Sequence, residues 1–212
     1  MGRITGMEAA QNVPPKVQLI YKAVVQLIAE GQDLNAIKVS TITELAGIGK
    51  GTAYDYFETK DDIIACALLY QIKVIVDELS NALIQRETLS EQINFLMDEI
   101  EKEEGNQPYF LRFIHALTEN TSYCQLVRDK MTTEEFHSYM PIKIFSEIVE
   151  RGVARGEIRA DLPSDYVISA VASRMIMYMI SLCSADCFQV DALRFRPYIY
   201  QGIMDELCEK NV

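Results

Sequence analysis

The sequence predicts an all-α protein in which an amino-terminal three-helix unit with a helix-turn-helix precedes a helical bundle. Three observations carry that prediction. Along most of the 212 residues, apolar side chains recur at intervals of three and four, the spacing that lines one side of an α-helix. No segment alternates apolar with polar residues as a half-buried strand would, and no hairpin turn, phosphate-cradling glycine loop or repeat occurs. Breaks fall at helix-ending signals: Gly31, Gly47, Gly105 with Pro108, Asn120, Gly152 with Gly156, Pro163 and the polar run 184–186.

Residues 1–13 form a polar arm with one basic residue, Arg3. Pro14 and Pro15 suit the first positions of a helix, where a missing N–H costs nothing. From Lys16 to Glu30 the apolar residues Val17, Ile20, Tyr21, Val24, Leu27 and Ile28 mark one buried face, and Gly31 ends the helix. Leu34 and Ile37 in the next loop are expected to tuck beneath it. Ser40 and Thr41 can cap a short helix carrying Ile42, Leu45 and Ala46, which Gly47 closes in the left-handed conformation. Ile48 plugs the angle before a second short helix from Lys50 to Phe57, with Ala53 and Phe57 facing inward.

The opposite face of that second helix offers a cation at Lys50, an approachable backbone at Gly51, a hydroxyl at Thr52 and phenols at Tyr54 and Tyr56. Such donors suit phosphate oxygens and base edges in a major groove. The same spacing also fits two ordinary helices of an all-α core whose tyrosines point at water. Charge is asymmetric. Residues 1–60 hold six basic and six acidic side chains, so the rest of the chain carries the whole net charge of −11. An acidic body repels DNA and a neutral head does not, although a basic patch requires Lys16, Lys22, Lys38, Lys50 and Lys60 to share a face.

An amphipathic helix ending near Glu30-Gly31, then ITELAGIGKGTAYDYF, then a short loop to Lys60 and a long helix, resembles the amino-terminal domain of the tetracycline-repressor (TetR) family of bacterial transcription regulators. The resemblance covers about residues 16–75. It implies DNA contacts from Ser40 and Thr41, from Lys50, Gly51 and Thr52 at the start of the recognition helix, from Tyr54 and Tyr56, and from Lys60 at the next helix. Three positions depart from the family pattern: Gly49 replaces a common serine, Ser40 stands where arginine is frequent, and Asp55 where an aromatic or histidine is usual. A carboxylate near phosphates costs energy unless it accepts a hydrogen bond, and cytosine N4 is a donor in the major groove. Asp55 is therefore expected either to read a cytosine or to point at solvent or a lysine.

Thr59-Lys60-Asp61-Asp62 opens a helix expected to reach about Gln85 and to connect two domains, residues 14–60 with DNA and residues 61–212 with a ligand and a second subunit. Further helices are expected near 90–103, 108–119, 122–153 with a bend at Pro141, 164–184 and 190–209. The segment RGVARGEIRADLPSDYVISA also resembles the TetR family, less specifically. From Tyr166 onward apolar residues occupy nearly every side of the helix, which demands a second buried face; a twin subunit meets that demand most simply, pairing the last two helices with their symmetry mates.

The resemblance implies an effector pocket in the body. Its candidate residues are Phe110, Phe113, His115, Tyr123, Arg174, Met175 and Met179, with core packing the competing account of the aromatics and an intrachain or intersubunit carboxylate the competing account of Arg174. Five cysteines without paired spacing and only two histidines argue for reduced thiols and no metal centre; no cofactor is expected. Cys183 and Cys187, one turn apart, leave a redox-sensing regulator as an alternative, and an all-α protein-interaction adaptor is another. No nucleophile elbow, spaced metal set or nucleotide loop points to an enzyme. The expectation is a cytoplasmic, homodimeric repressor without a membrane segment, released from a near-palindromic operator by a small molecule.

Overall fold

The computed structural model describes residues 13–102, 121–132, 140–183 and 191–208, and among them every regular element is an α-helix. In chain order these are α1 (Pro15–Ala29), α2 (Val39–Leu45), α3 (Lys50–Tyr56), α4 (Lys60–Ile84), α5 (Leu89–Glu101), α6 (Thr121–Met131), α7 (Ile142–Ala154), α8 (Ser164–Cys183) and α9 (Ala192–Leu207). The expected helix at 108–119 lies outside the described residues. The single bent helix expected over 122–153 is instead represented by α6 and α7. Pro141 stands at the N-cap of α7, since a residue without an N–H starts a helix more readily than it continues one.

Two compact units make up the chain, residues 1–76 with 112–140 and residues 77–111 with 141–212. The change from one unit to the other falls inside α4, whose first half belongs with the first unit. Ile63, Ile64, Ala65, Cys66, Ala67 and Leu68 are all shielded from solvent, so this stretch is enclosed on every side.

In the first unit, α1 buries the six apolar residues that its periodicity singles out. Leu34, Ile37, Ile42, Ala53 and Phe57 complete the core against them. The Tyr21 ring lies between Phe57 and Tyr70, with centroids 6.0 and 5.2 Å away. Each such large side chain withdrawn from water contributes about 1.5–3 kcal/mol, which offsets the entropy of ordering three short helices. Thr59 Oγ1 accepts the Asp62 N–H at 3.0 Å, and Asp61 and Asp62 lie in the first turn of α4, where acidic groups meet the positive helix end.

In the second unit, α5 opens with a capping box: Thr88 Oγ1 accepts the Glu91 N–H at 3.1 Å while the Glu91 carboxylate accepts the Thr88 N–H at 3.1 Å. Buried Gln92 donates to the carbonyls of Leu83 and Arg86, closing the turn between α4 and α5. At the crossing of α5, α8 and α9, Arg196 bonds Glu101 at 2.7 Å and pairs with Asp98, while the Tyr178 hydroxyl donates to the same Glu101. One side of α8 is buried through Val167, Val171, Met175 and Tyr178, whereas Ile176, Met177 and Ile180 are exposed. On α9, Ile203 and Leu207 are buried while Leu193, Phe195 and Tyr198 are exposed.

Candidate nucleic-acid interface

The helix-turn-helix is built from α2 and α3. Gly47 follows α2 with φ +66°, and its N–H reaches Glu44 O at 3.1 Å while the Ile48 N–H reaches Thr43 O at 3.0 Å. This pair of bonds satisfies the last carbonyls of α2 and turns the chain toward α3; only glycine takes that φ without strain. The helix begins one residue before Ser40, with Lys38 at the N-cap and no side-chain cap, so Ser40 and Thr41 lie in the first turn and do not cap it. Thr43 bonds back to the Val39 and Ser40 carbonyls at 2.9 and 3.1 Å, satisfying its own buried hydroxyl. Leu45 is 42% exposed and not part of the core, because in so short a helix Ile42 and Ala46 already fill the inward line.

Gly49 is the N-cap of α3 and offers no side chain to its free N–H groups. Along α3, Lys50, Gly51, Tyr54 and Asp55 are exposed and Thr52 is half-buried. Tyr56 corrects the sequence expectation. It is 5% exposed, since it lies three residues after Ala53 and shares its inward side, so its ring is part of the core.

A shallow depression of about 740 Å³ adjoins α3, lined by residues 35–40 together with Lys50, Tyr54 and Lys60. Lys60 Nζ donates to the Asn35 carbonyl at 2.9 Å, tying the start of α4 to the loop that precedes α2. Lys50 Nζ sits 5.9 Å from the centroid of the Tyr54 ring, so cation and phenol present a common edge. Three of the five head lysines, Lys38, Lys50 and Lys60, thus share one concave surface with the Ser40 hydroxyl. Lys38 is one of the five lysines counted toward a basic patch, whereas Asn35 lies outside the expected contacts. The signal for Lys38 was its position immediately before α2, which places it at the mouth of the turn.

The expected effector residues that are described fall in both units. Tyr123 belongs to the first unit, is buried, and donates to Asp61 Oδ1 at 2.6 Å. Arg174, Met175 and Met179 belong to the second. Arg174 bonds the Ala170 carbonyl at 3.1 Å and pairs with Glu206, whose other oxygen accepts the Tyr166 hydroxyl. The hydroxyl and guanidinium together hold the Glu206 carboxyl below its ordinary range. Met175 is buried and Met179 half-buried. Phe110, Phe113, His115 and Cys187 lie outside the described residues. Burial pushes the Cys66 thiol up to about 11, so it stays protonated near neutrality. Among the described residues no group of His, Cys, Asp and Glu is arranged to hold a metal ion.

This order of helices, with a helix-turn-helix head and a helical body, is the fold of TetR-type transcription regulators. The chain superposes on a Rhodococcus sp. protein assigned to the TetR family of transcriptional regulators, with TM-score 0.66 and 17% identity over 92% of this chain and 98% of that one. It is also similar to the transcriptional regulator FadR of Bacillus subtilis, solved in complex with stearoyl-CoA, with TM-score 0.59 and 17% identity over 89% and 98% of the two chains. A third match is NalD, the secondary repressor of the MexAB-OprM multidrug efflux pump in Pseudomonas aeruginosa, with TM-score 0.61 and 14% identity over 92% and 97%. No family model matches the sequence, and no curated protein matches it in sequence.

Proposed function

We propose that this chain is a DNA-binding transcription regulator, acting in the cytoplasm as a homodimer and releasing its operator when a small molecule binds the body. The observation that carries this reading is the convergence of Lys38, Lys50, Lys60, Ser40 and Tyr54 on one concave surface beside the exposed face of α3. Lysines, a hydroxyl and a phenol at the edge of a recognition helix are the donors that grip phosphates, while the helix face itself lies against base edges. Local placement answers the neutral charge of the head: what phosphate binding needs is cations gathered at the contact surface.

The bare apolar sides of α8 and α9 support the dimer. Met177 is 54% and Tyr198 76% exposed, and both sit among other exposed apolar residues. By length and composition α8 would also span a bilayer, but its polar Ser169, Ser173 and Arg174 favour burial against a second copy. A repressor is the form favoured by the solved protein NalD, and an effector-holding body by the solved FadR with its stearoyl-CoA. The reading contains no catalytic step.

The experiment is a random-library selection with the full chain, then a fluorescence titration of the selected duplex at several salt concentrations. Selective binding with a steep salt slope is expected, and Lys50→Ala should weaken binding to all sequences alike and lower the slope by about 1. Enrichment of no sequence overturns the proposal.

A further inference from the structure

The outward face of α3 has an uncommon centre. A helix turns about 100° per residue, so the buried positions Ala53, Tyr56 and Phe57 place Gly51 and Asp55 on the diametrically opposite line. Lys50 and Tyr54 stand to one side of that line and half-buried Thr52 to the other. A Cβ at Gly51 would have nothing within 4 Å, so the backbone one turn before Asp55 is bare. Asp55 is exposed and makes no hydrogen bond or ion pair with another described residue. The nearest cation along the helix, Lys50, lies against the Tyr54 ring.

A carboxylate at this point has a distinct consequence for a helix seated in a major groove. The long side chains at the flank reach the phosphates on the groove wall, whereas the short central side chain faces the floor. There the exposed donors are cytosine N4–H and adenine N6–H. Adenine sets the acceptor N7 beside its donor, which repels the second carboxylate oxygen; cytosine carries a C–H at the corresponding place.

Resting on the DNA-binding reading above, we infer that Asp55 is a specificity-determining residue that selects a cytosine in each operator half-site by accepting a hydrogen bond from its N4. Asp55 opposes phosphate binding slightly and compensates only at the right base, so it discriminates more than it binds.

The test compares the base preferences of the wild-type chain, Asp55→Ala and Asp55→Asn from the same random duplex library. One C:G pair per half-site should be strongly selected by the wild type. Asp55→Ala should lose that preference, by about 5- to 150-fold in relative affinity, and keep the others. Asp55→Asn should move the preference toward adenine, whose N6 and N7 suit an amide. The salt slope should stay at its wild-type value in both variants, because no phosphate contact is removed. If Asp55→Ala leaves every position of the selected site unchanged, or raises affinity for all sequences equally, the inference is overturned while the regulator reading stands. A wild-type chain that selects nothing overturns both.

Discussion

The Tyr123 hydroxyl donates a 2.6 Å hydrogen bond to Asp61 Oδ1, joining α6 to the first turn of α4 across 62 residues of sequence. Burial and the neighbouring carboxylate both raise the Tyr123 phenol above its ordinary value, so it remains a donor throughout the neutral range. Tyr123→Phe deletes the donor and leaves Asp61 to water. Denaturant titration should show a loss of about 1 to 2 kcal/mol, at the low end for a bond to a charged group because the Asp61 acceptor is exposed to water. An unchanged midpoint would mean that water replaces the bond without cost.

The exposed sides of α8 and α9 bear on assembly. Paired substitution of Met177→Asp and Ile180→Asp places two charges on the apolar stripe without touching the buried side of α8. Sedimentation should find the wild type dimeric and this variant shifted toward monomer, with an unaltered helical spectrum. A wild-type chain that is monomeric at micromolar concentration would count against the proposed interface.

The capping box of α5 makes a pH-dependent prediction. Hydrogen bonds from the Thr88 and Glu87 N–H groups hold the Glu91 carboxyl below its ordinary value of 4.5. A carboxyl that is more acidic folded than unfolded adds stability above its ordinary range, and that contribution is lost as pH falls through the lowered value. Glu91→Gln should therefore flatten the pH dependence of stability at the acid end and change it little near neutrality. Thr88→Ala, which removes the other half of the box, should cost about 1 kcal/mol at pH 7.

Gly152 is a packing glycine within α7. A Cβ there would stand 2.6 Å from Cδ1 and 2.9 Å from Cγ1 of buried Ile158. Gly152→Ala should destabilise by about 1–3 kcal/mol, as overpacked cores do, despite the better helix propensity of alanine. Ile158→Val removes Cδ1, so the double variant should be more stable than the sum of the single changes implies; strict additivity would contradict the clash.

Long helices were legible because their periodicity runs through several turns. The buried face of α1 is the one its spacing defines, and Gly31, Gly47 and Gly156 all take the positive φ that ends a helix. Short helices were less so. With under two turns, α2 and α3 do not define a phase, and Leu45 and Tyr56 came out on the sides opposite to those expected. At Pro141 the apolar period continues, but the missing N–H makes the residue a helix start.

The sequence by itself determined the all-α class, the helix-turn-helix and most helix ends, because these depend on interactions within about five residues. Tertiary structure decided which distant groups meet. Lys60 reaches Asn35, Lys38 joins Lys50 on one concave surface, Arg174 finds Glu206, and Tyr123 settles on Asp61. Such pairings are set by how helices pack and by the need of each polar group taken from water to find a partner, and no local spacing encodes that partner's address.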